Sequence, residues 1–186
     1  MRGFTLWVTG PSCQNNSILS RAIEEELLER GMKVELLNID AVQSCLLGDS
    51  DDPLVSINEG MKSVGFIAHL LTRNDVVAIC SYPSPRSSSR DEMRKLIGRF
   101  VEVYCECALD NLKKQGISME EWNAYEKPDK PEVICDLEKE GHEECAHKIL
   151  KTLEILGFIP PSDDDEAYSE DEEDKIRQRL QDLGYI

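Results

Sequence analysis

Basic side chains are scarce. The 186 residues carry 21 Lys and Arg against 37 Asp and Glu, a formal net charge of −16. A surface of that sign repels a phosphate backbone, which excludes nucleic acid as a partner class. Long apolar runs are missing too, so no bilayer span is expected and no membrane association. The short apolar stretch after Arg2 has no small-residue cleavage site behind it and does not read as a secretory leader. No Cys-x-x-Cys occurs. The seven cysteines, at 13, 45, 80, 105, 107, 135 and 145, are odd in number, and several lie in apolar runs such as Val76-Val77-Ala78-Ile79-Cys80. They read as reduced thiols of a cytoplasmic protein, with Cys105 and Cys107 in a core role. His142 and Cys145 would share a helix face, but His147 lies off it and no fourth ligand is evident, so a metal centre is not read there.

What is present is alternation. Strand candidates at 4–9, 33–37, 75–80, 100–105 and about 132–135 are interleaved with helix candidates at 17–30, 57–73, 90–97, 108–115 and 142–157. Short apolar strands between amphipathic helices predict an α/β fold, a parallel sheet covered on both faces. The division expected is a main domain over 1–160 and an acidic linker with a C-terminal helix over 161–186. From Asp163 onward there are ten carboxylates and three basic residues. Ser169-Glu170-Asp171-Glu172 fits a capping box, and Ile176, Leu180 and Leu183 fall on one helix face. That stripe is expected to dock on this domain or on a protein partner. Because the sheet is complete by about residue 160, cutting after Pro161 is expected to leave thermal stability almost unchanged.

The turn after the first strand carries most of the functional information. A phosphate loop reads G-x-x-x-x-G-K-[ST], with backbone N–H groups around the phosphates and the Lys on the outer ones. Here the stretch is Gly10-Pro11-Ser12-Cys13-Gln14-Asn15-Asn16-Ser17. Gly10 and Ser17 are in register, but Asn15 replaces the second Gly and Asn16 the Lys. Asn15 is the more tolerable change, since Asn accepts the left-handed backbone a Gly would supply. Asn16 has shorter reach and no charge. Two readings stand: a weakened anion site over Gly10, Ser12, Cys13, Gln14, Asn15, Asn16 and Ser17, or a strand-to-helix turn without a ligand. Cys13, feeding a helix N-terminus, is also placed where a thiol pKa falls.

Several further blocks follow in order: Phe66-Ile67-Ala68-His69-Leu70-Leu71-Thr72-Arg73-Asn74, then Ser84-Pro85 with Arg90-Asp91-Glu92-Met93-Arg94, then Phe100-Val101-Glu102-Val103-Tyr104, then Tyr125 to Val133. Together with Gly3–Gly10 they resemble the adenylylsulfate (APS) kinase family over residues 2–160. The resemblance implies a P-loop NTPase fold with a five-stranded parallel sheet. It also implies MgATP-dependent phosphorylation of the adenylylsulfate ribose, giving PAPS. Asp40 corresponds to the family aspartate near Mg²⁺ and the nucleophile. Its functional reading is catalytic, or metal-binding together with Ser17; its structural reading is an N-cap.

The departures from the family pattern shape the expected function. The family arginines become Gln43, Ile57, Lys62 and Ser63, and a loop aromatic becomes Asp52. Arg and Lys are not interchangeable where an anion is held bidentately. Lys62, Phe66, Ser84 and Pro85 are the substrate-side remnants, although a lysine such as Lys62 is more often a surface residue than a ligand. The basic lid is shortened to Lys113–Trp122. Trp122 and Tyr125 are expected to pack that connection on the core. The reading is a catalytically impaired, regulatory or scaffolding nucleotide-binding domain linked to sulfate activation, taking MgATP or another adenine nucleotide weakly. Two alternatives stay open: an active kinase with another cation in the Lys role (Lys62, Arg86 or an Arg from a second subunit), and an interaction module using the acidic tail. A homodimer is compatible with all three.

Overall fold

The computed structural model describes residues 2–11, 13–38, 53–82, 84–114, 119–161 and 170–186. Five strands run β1 Thr5–Thr9, β2 Val34–Asn38, β3 Val77–Ser81, β4 Phe100–Glu106 and β5 Val133–Asp136. All pair in parallel, in the order β2-β3-β1-β4-β5. The helices among the described residues are α1 Cys13–Glu29, α2 Pro53–Arg73, α3 Ser87–Ile97, α4 Leu109–Lys114, α5 Met119–Ala124, α6 Gly141–Ile155 and α7 Glu170–Asp182.

β1 is central and buried on both faces, as a strand in a covered parallel sheet must be. Its side chains alternate. Leu6 and Val8 join Leu19, Ile23 and Leu27 of α1 and Ile149 and Leu153 of α6 in one core. Trp7 points the other way, to Met61, Val64 and Ala68 of α2 and Met93 and Ile97 of α3. Gly65 belongs to that second core for a steric reason: a Cβ there would stand 1.9 Å from the Met93 sulfur.

The strands lie within two residues of their expected bounds, and every expected helix of the main domain is present. Two differences are informative. The first helix starts at Cys13 rather than 17, and α5 occupies the connection that sequence reasoning left unassigned. The third finding concerns the tail. Leu180 is fully buried, Ile176 and Leu183 are half-buried, and Arg179 donates to the carbonyls of Pro131 and Glu132, each 3.0 Å from Nε. The stripe docks on this chain. This docking bears on the expectation that truncation after Pro161 leaves stability almost unchanged, because α7 covers polar groups and apolar surface that truncation would open to water.

Candidate functional site

The site is built at the C-terminal ends of β1, β3 and β4, where the chain leaves the sheet toward α1, the Ser84-Pro85 turn and α4. Gly10 follows β1 directly. A Cβ at that position would stand 2.6 Å from the Cys105 carbonyl oxygen, so only Gly lets the turn pass β4 this closely.

Beyond Gly10 the backbone does not form the wrapped loop the motif suggests. Cys13, Gln14, Asn15, Asn16 and Ser17 are the opening turns of α1. Asn15 is helical; among the described residues Asp75 is the one non-Gly residue with positive φ. The physical reason is local. Without Gly at 15 nothing favours a left-handed turn there, and Asn satisfies helical geometry at a small propensity cost. The expected loop over 10–17 is corrected: Gly10 and Pro11 form a bend and helix runs from Cys13, with Ser12 outside the described residues.

Asn16 is 4% exposed. Its Nδ2 donates to the Gly10 carbonyl at 3.4 Å, a long bond, while Oδ1 is buried without a hydrogen-bond partner in the described structure. Where the motif places a cationic donor, this chain has a neutral amide whose Oδ1 meets no partner among the described residues. Ser17 is half-buried on the same helix. Asp40 falls outside the described residues, as do Asp49, Asp51, Asp52 and the side chain of Ile57.

The floor of the site is a closed hydroxyl cluster. Ser84, 1% exposed, accepts the Trp7 indole N–H at 3.1 Å and shares a hydrogen bond with Thr9 at 2.9 Å; Thr9 in turn meets the Tyr125 hydroxyl at 3.0 Å. Tyr125 stacks on Tyr104 with ring centroids 6.2 Å apart. Burial pushes the Tyr125 hydroxyl well above its ordinary pKa. It is a neutral hydroxyl whose ring packs against Tyr104, while the Trp122 side chain lies outside the described residues. Pro85 is half-buried, and its carbonyl accepts the Glu126 N–H at 2.7 Å. Behind this floor lies Arg90, 2% exposed, with Nε on Glu102 at 2.8 Å, Nη1 on the Ser84 carbonyl and Nη2 on the Glu126 carbonyl at 2.6 Å.

The two remaining substrate-side candidates part company. Lys62 is exposed and lines a cavity of about 280 Å³ with Arg86, Ser88, Ser89, Glu92 and Met93. Phe66 is 56% exposed and lines no part of it. Sequence reasoning missed Thr9, Trp7 and Arg90 as site builders. A polar residue at each end of a buried strand was the available signal, but their partners are 75 or more residues away for Thr9 and Trp7. It also missed Lys127, which pairs with Glu106 at 2.6 Å and lies over the Tyr104 ring at the end of β4. Cys80, Cys105, Cys135 and Cys145 are buried. The core role expected for Cys107 is corrected: at the end of β4 it is partly exposed and its thiol donates to Glu138 at 3.6 Å. Cys45 and the Cys13 side chain lie outside the described residues. Register sets Cys105 beside Cys135, and the buried Cys145 thiol donates to Glu140 at 3.3 Å.

A family model described as adenylylsulphate kinase matches residues 2–118. The chain belongs to the adenylylsulphate kinase family. The adenylyl-sulfate kinase of Picosynechococcus is 33% identical over 174 residues, covering 86% of this chain and 98% of that one. The hexameric APS kinase of Thiobacillus denitrificans superposes with a TM-score of 0.69 at 30% identity, over 87% of this chain and 30% of that longer one. An APS kinase of Mycobacterium tuberculosis solved with AMPPNP and APS shares the fold, with a TM-score of 0.69 at 24% identity over 82% of this chain and 98% of that one. Family membership thus agrees with the five-stranded parallel sheet. Among the described residues no helix is long and apolar enough to cross a membrane.

Proposed function

We propose that this family member binds adenine nucleotide weakly and transfers phosphate poorly, acting as a regulatory or scaffolding domain linked to sulfate activation. The observation that carries the reading is Asn16. At the position of the phosphate-binding Lys it offers a neutral amide tied to the Gly10 carbonyl, with an acceptor oxygen that has no partner among the described residues. Phosphoryl transfer depends on neutralising charge that develops on the transferred group. Losing one such contact typically lowers rate on the order of 10²–10³-fold. The first N–H groups of α1 still suit an anion, since a helix N-terminus attracts one without a Lys. The family implies Mg²⁺ with the nucleotide. Ser17 and Asp40 are the residues that would hold it, and it would supply the charge neutralisation Asn16 does not.

Calorimetry with MgATP, ADP, APS and PAPS, beside a coupled assay for PAPS, tests this reading. Weak nucleotide binding with near-background turnover is expected. Robust PAPS formation that disappears on Ser17→Ala would overturn it.

A second reading is favoured by a different observation. The relatives are named adenylyl-sulfate kinases, and Lys62 and Arg86 share one cavity beside the Ser84-Pro85 turn. In that reading the chain is an active kinase whose missing cation is supplied from there. PAPS formation lost on Arg86→Ala would select it.

A further inference from the structure

The polar row that holds the floor of the site does not stop at Arg90. Arg90 and Arg94 are one turn apart on α3 and project to the same side. Glu102 on β4 and Glu132, just before β5, are 5% and 3% exposed. Arg94 reaches both, Glu102 at 3.1 Å and Glu132 through two bonds, the longer 3.0 Å. The Glu102 N–H donates to Glu132 at 2.6 Å. Burial raises the Glu102 pKa, while Arg90 and Arg94 work against that shift. Two arginines thus face two carboxylates, and the row is neutral as a unit. Its outer end is α7. The Tyr185 hydroxyl donates to Glu132 and accepts from Arg94 at 3.2 Å, and Arg179 holds the backbone of Pro131 and Glu132. Its inner end is the Ser84 and Glu126 carbonyls, the two backbones that frame the hydroxyl cluster. Arg94 also lies over Phe100, whose ring stacks on Trp7.

We infer that residues 170–186 are a positioning element for the site. Docking of α7 sets Glu132, and the row Glu132–Arg94–Glu102–Arg90 passes that setting to the Ser84-Pro85 turn and the Tyr125-Glu126 backbone. Tyr185 and Arg179 are the positioning residues. Arg179 and Tyr185 lie beyond the stretch that the family model matches. The path is hydrogen-bonded at every step; Arg90, Glu102 and Glu132 are buried, Arg94 is half-buried and Tyr185 is exposed at its outer end. Such rows rearrange in discrete steps rather than deform gradually.

The test compares the full chain with Tyr185→Phe, Arg179→Gln and a truncation after Pro161. Two readouts are local. One is hydrogen exchange in the segments around 84–90 and 125–127. The other is Trp7 emission in a Trp122→Phe background, since the Trp7 N–H is bound to Ser84. Removing one hydrogen bond to a charged group should raise exchange at 84–90 and 125–127 about tenfold. The Trp7 emission should shift, with β2 at the far edge unchanged. Exchange raised only at 131–133 beside α7, or raised uniformly through β2, would overturn the inference. If the truncated chain does not fold, the two point variants decide it alone. The consequence for ligand, weaker binding of MgATP by the variants, rests on the proposed function. If the intact chain binds no nucleotide, that reading fails, and the exchange data still decide the positioning role.

Discussion

Two ends of the same sheet treat their polar groups in opposite ways. Beneath α3, two arginines, two carboxylates and two backbone carbonyls satisfy one another, three of the four charges buried and Arg94 half-buried, and most guanidinium nitrogens of the pair have a partner. At the start of α1, Asn16 makes one long bond and leaves an oxygen unpaired. Folding depends on the first arrangement and tolerates the second. Removing one partner of a buried ion pair strands a charge in low dielectric, whereas exchanging a side chain in a sparsely bonded turn mostly changes what a ligand meets. A chain can therefore keep the kinase scaffold while its phosphate turn departs from the motif.

The largest break in that contrast should come from Arg90→Ala. Glu102 would be left buried without its closest cation, at a cost of about 3–5 kcal/mol. For a domain of this size that is a fall in melting temperature of about 6–20 °C, to be read by calorimetry. Asn16→Ala should cost less than about 1 kcal/mol, because it removes a long hydrogen bond together with an unpaired oxygen. Similar losses for the two variants would erase the distinction between the regions.

Repair of the phosphate turn comes next. Asn15→Gly combined with Asn16→Lys should tighten MgATP binding and raise any PAPS formation on the order of 10²–10³-fold. Undetectable ATP binding in that double variant would mean the helical opening at Cys13, rather than the missing charge, blocks the phosphates.

Truncation after Pro161 should lower stability by a smaller margin. Burial of Leu180 alone is worth about 2–3 kcal/mol, part of which is offset by the entropy of ordering α7. An unchanged melting temperature would return the tail to the status of a loosely attached appendage.

The smallest effect is sensitive to pH. Partial burial and the Glu132 carboxylate push the Tyr185 hydroxyl from 10.0 up to about 12. The folded chain thus keeps a proton that the unfolded chain gives up. The Tyr185 contribution is fully present below pH 10 and fades as pH rises through about 12. The stability difference between the wild type and Tyr185→Phe should shrink over that window. A difference independent of pH would mean the hydroxyl is not bound to the carboxylate.

Much of the fold was legible because its signals are local. The apolar run Phe4-Thr5-Leu6-Trp7-Val8-Thr9 and the α1 spacing Ile18, Ala22, Ile23 and Leu27 need no distant partner to be recognised, although Ile18 itself is exposed. The resemblance carried by Gly10, Ser84-Pro85 and the Arg90–Arg94 block was legible for the same reason. The site was harder to read. A motif register assigned residues 10–17 to a loop, but whether a turn wraps or winds into helix is settled by backbone energies at Asn15 and by the close approach of Gly10 to Cys105. Phe66 seemed a remnant by alignment, yet it lies on the outward face of α2 because Met61, Val64 and Ala68 take the inward one.

By itself, then, the amino-acid order determined the strand and helix succession, the acid-rich balance, the family, and the loss of a cation at position 16. Those are properties of single residues and of short periods along the chain. Only the tertiary structure decided that Glu102 and Glu132 share two arginines, that Thr9, Ser84 and Tyr125 meet over the end of β1, and that α7 folds back on its own domain. Each of these depends on groups far apart in sequence, brought together when burial makes an unpaired charge or hydroxyl too costly to leave alone.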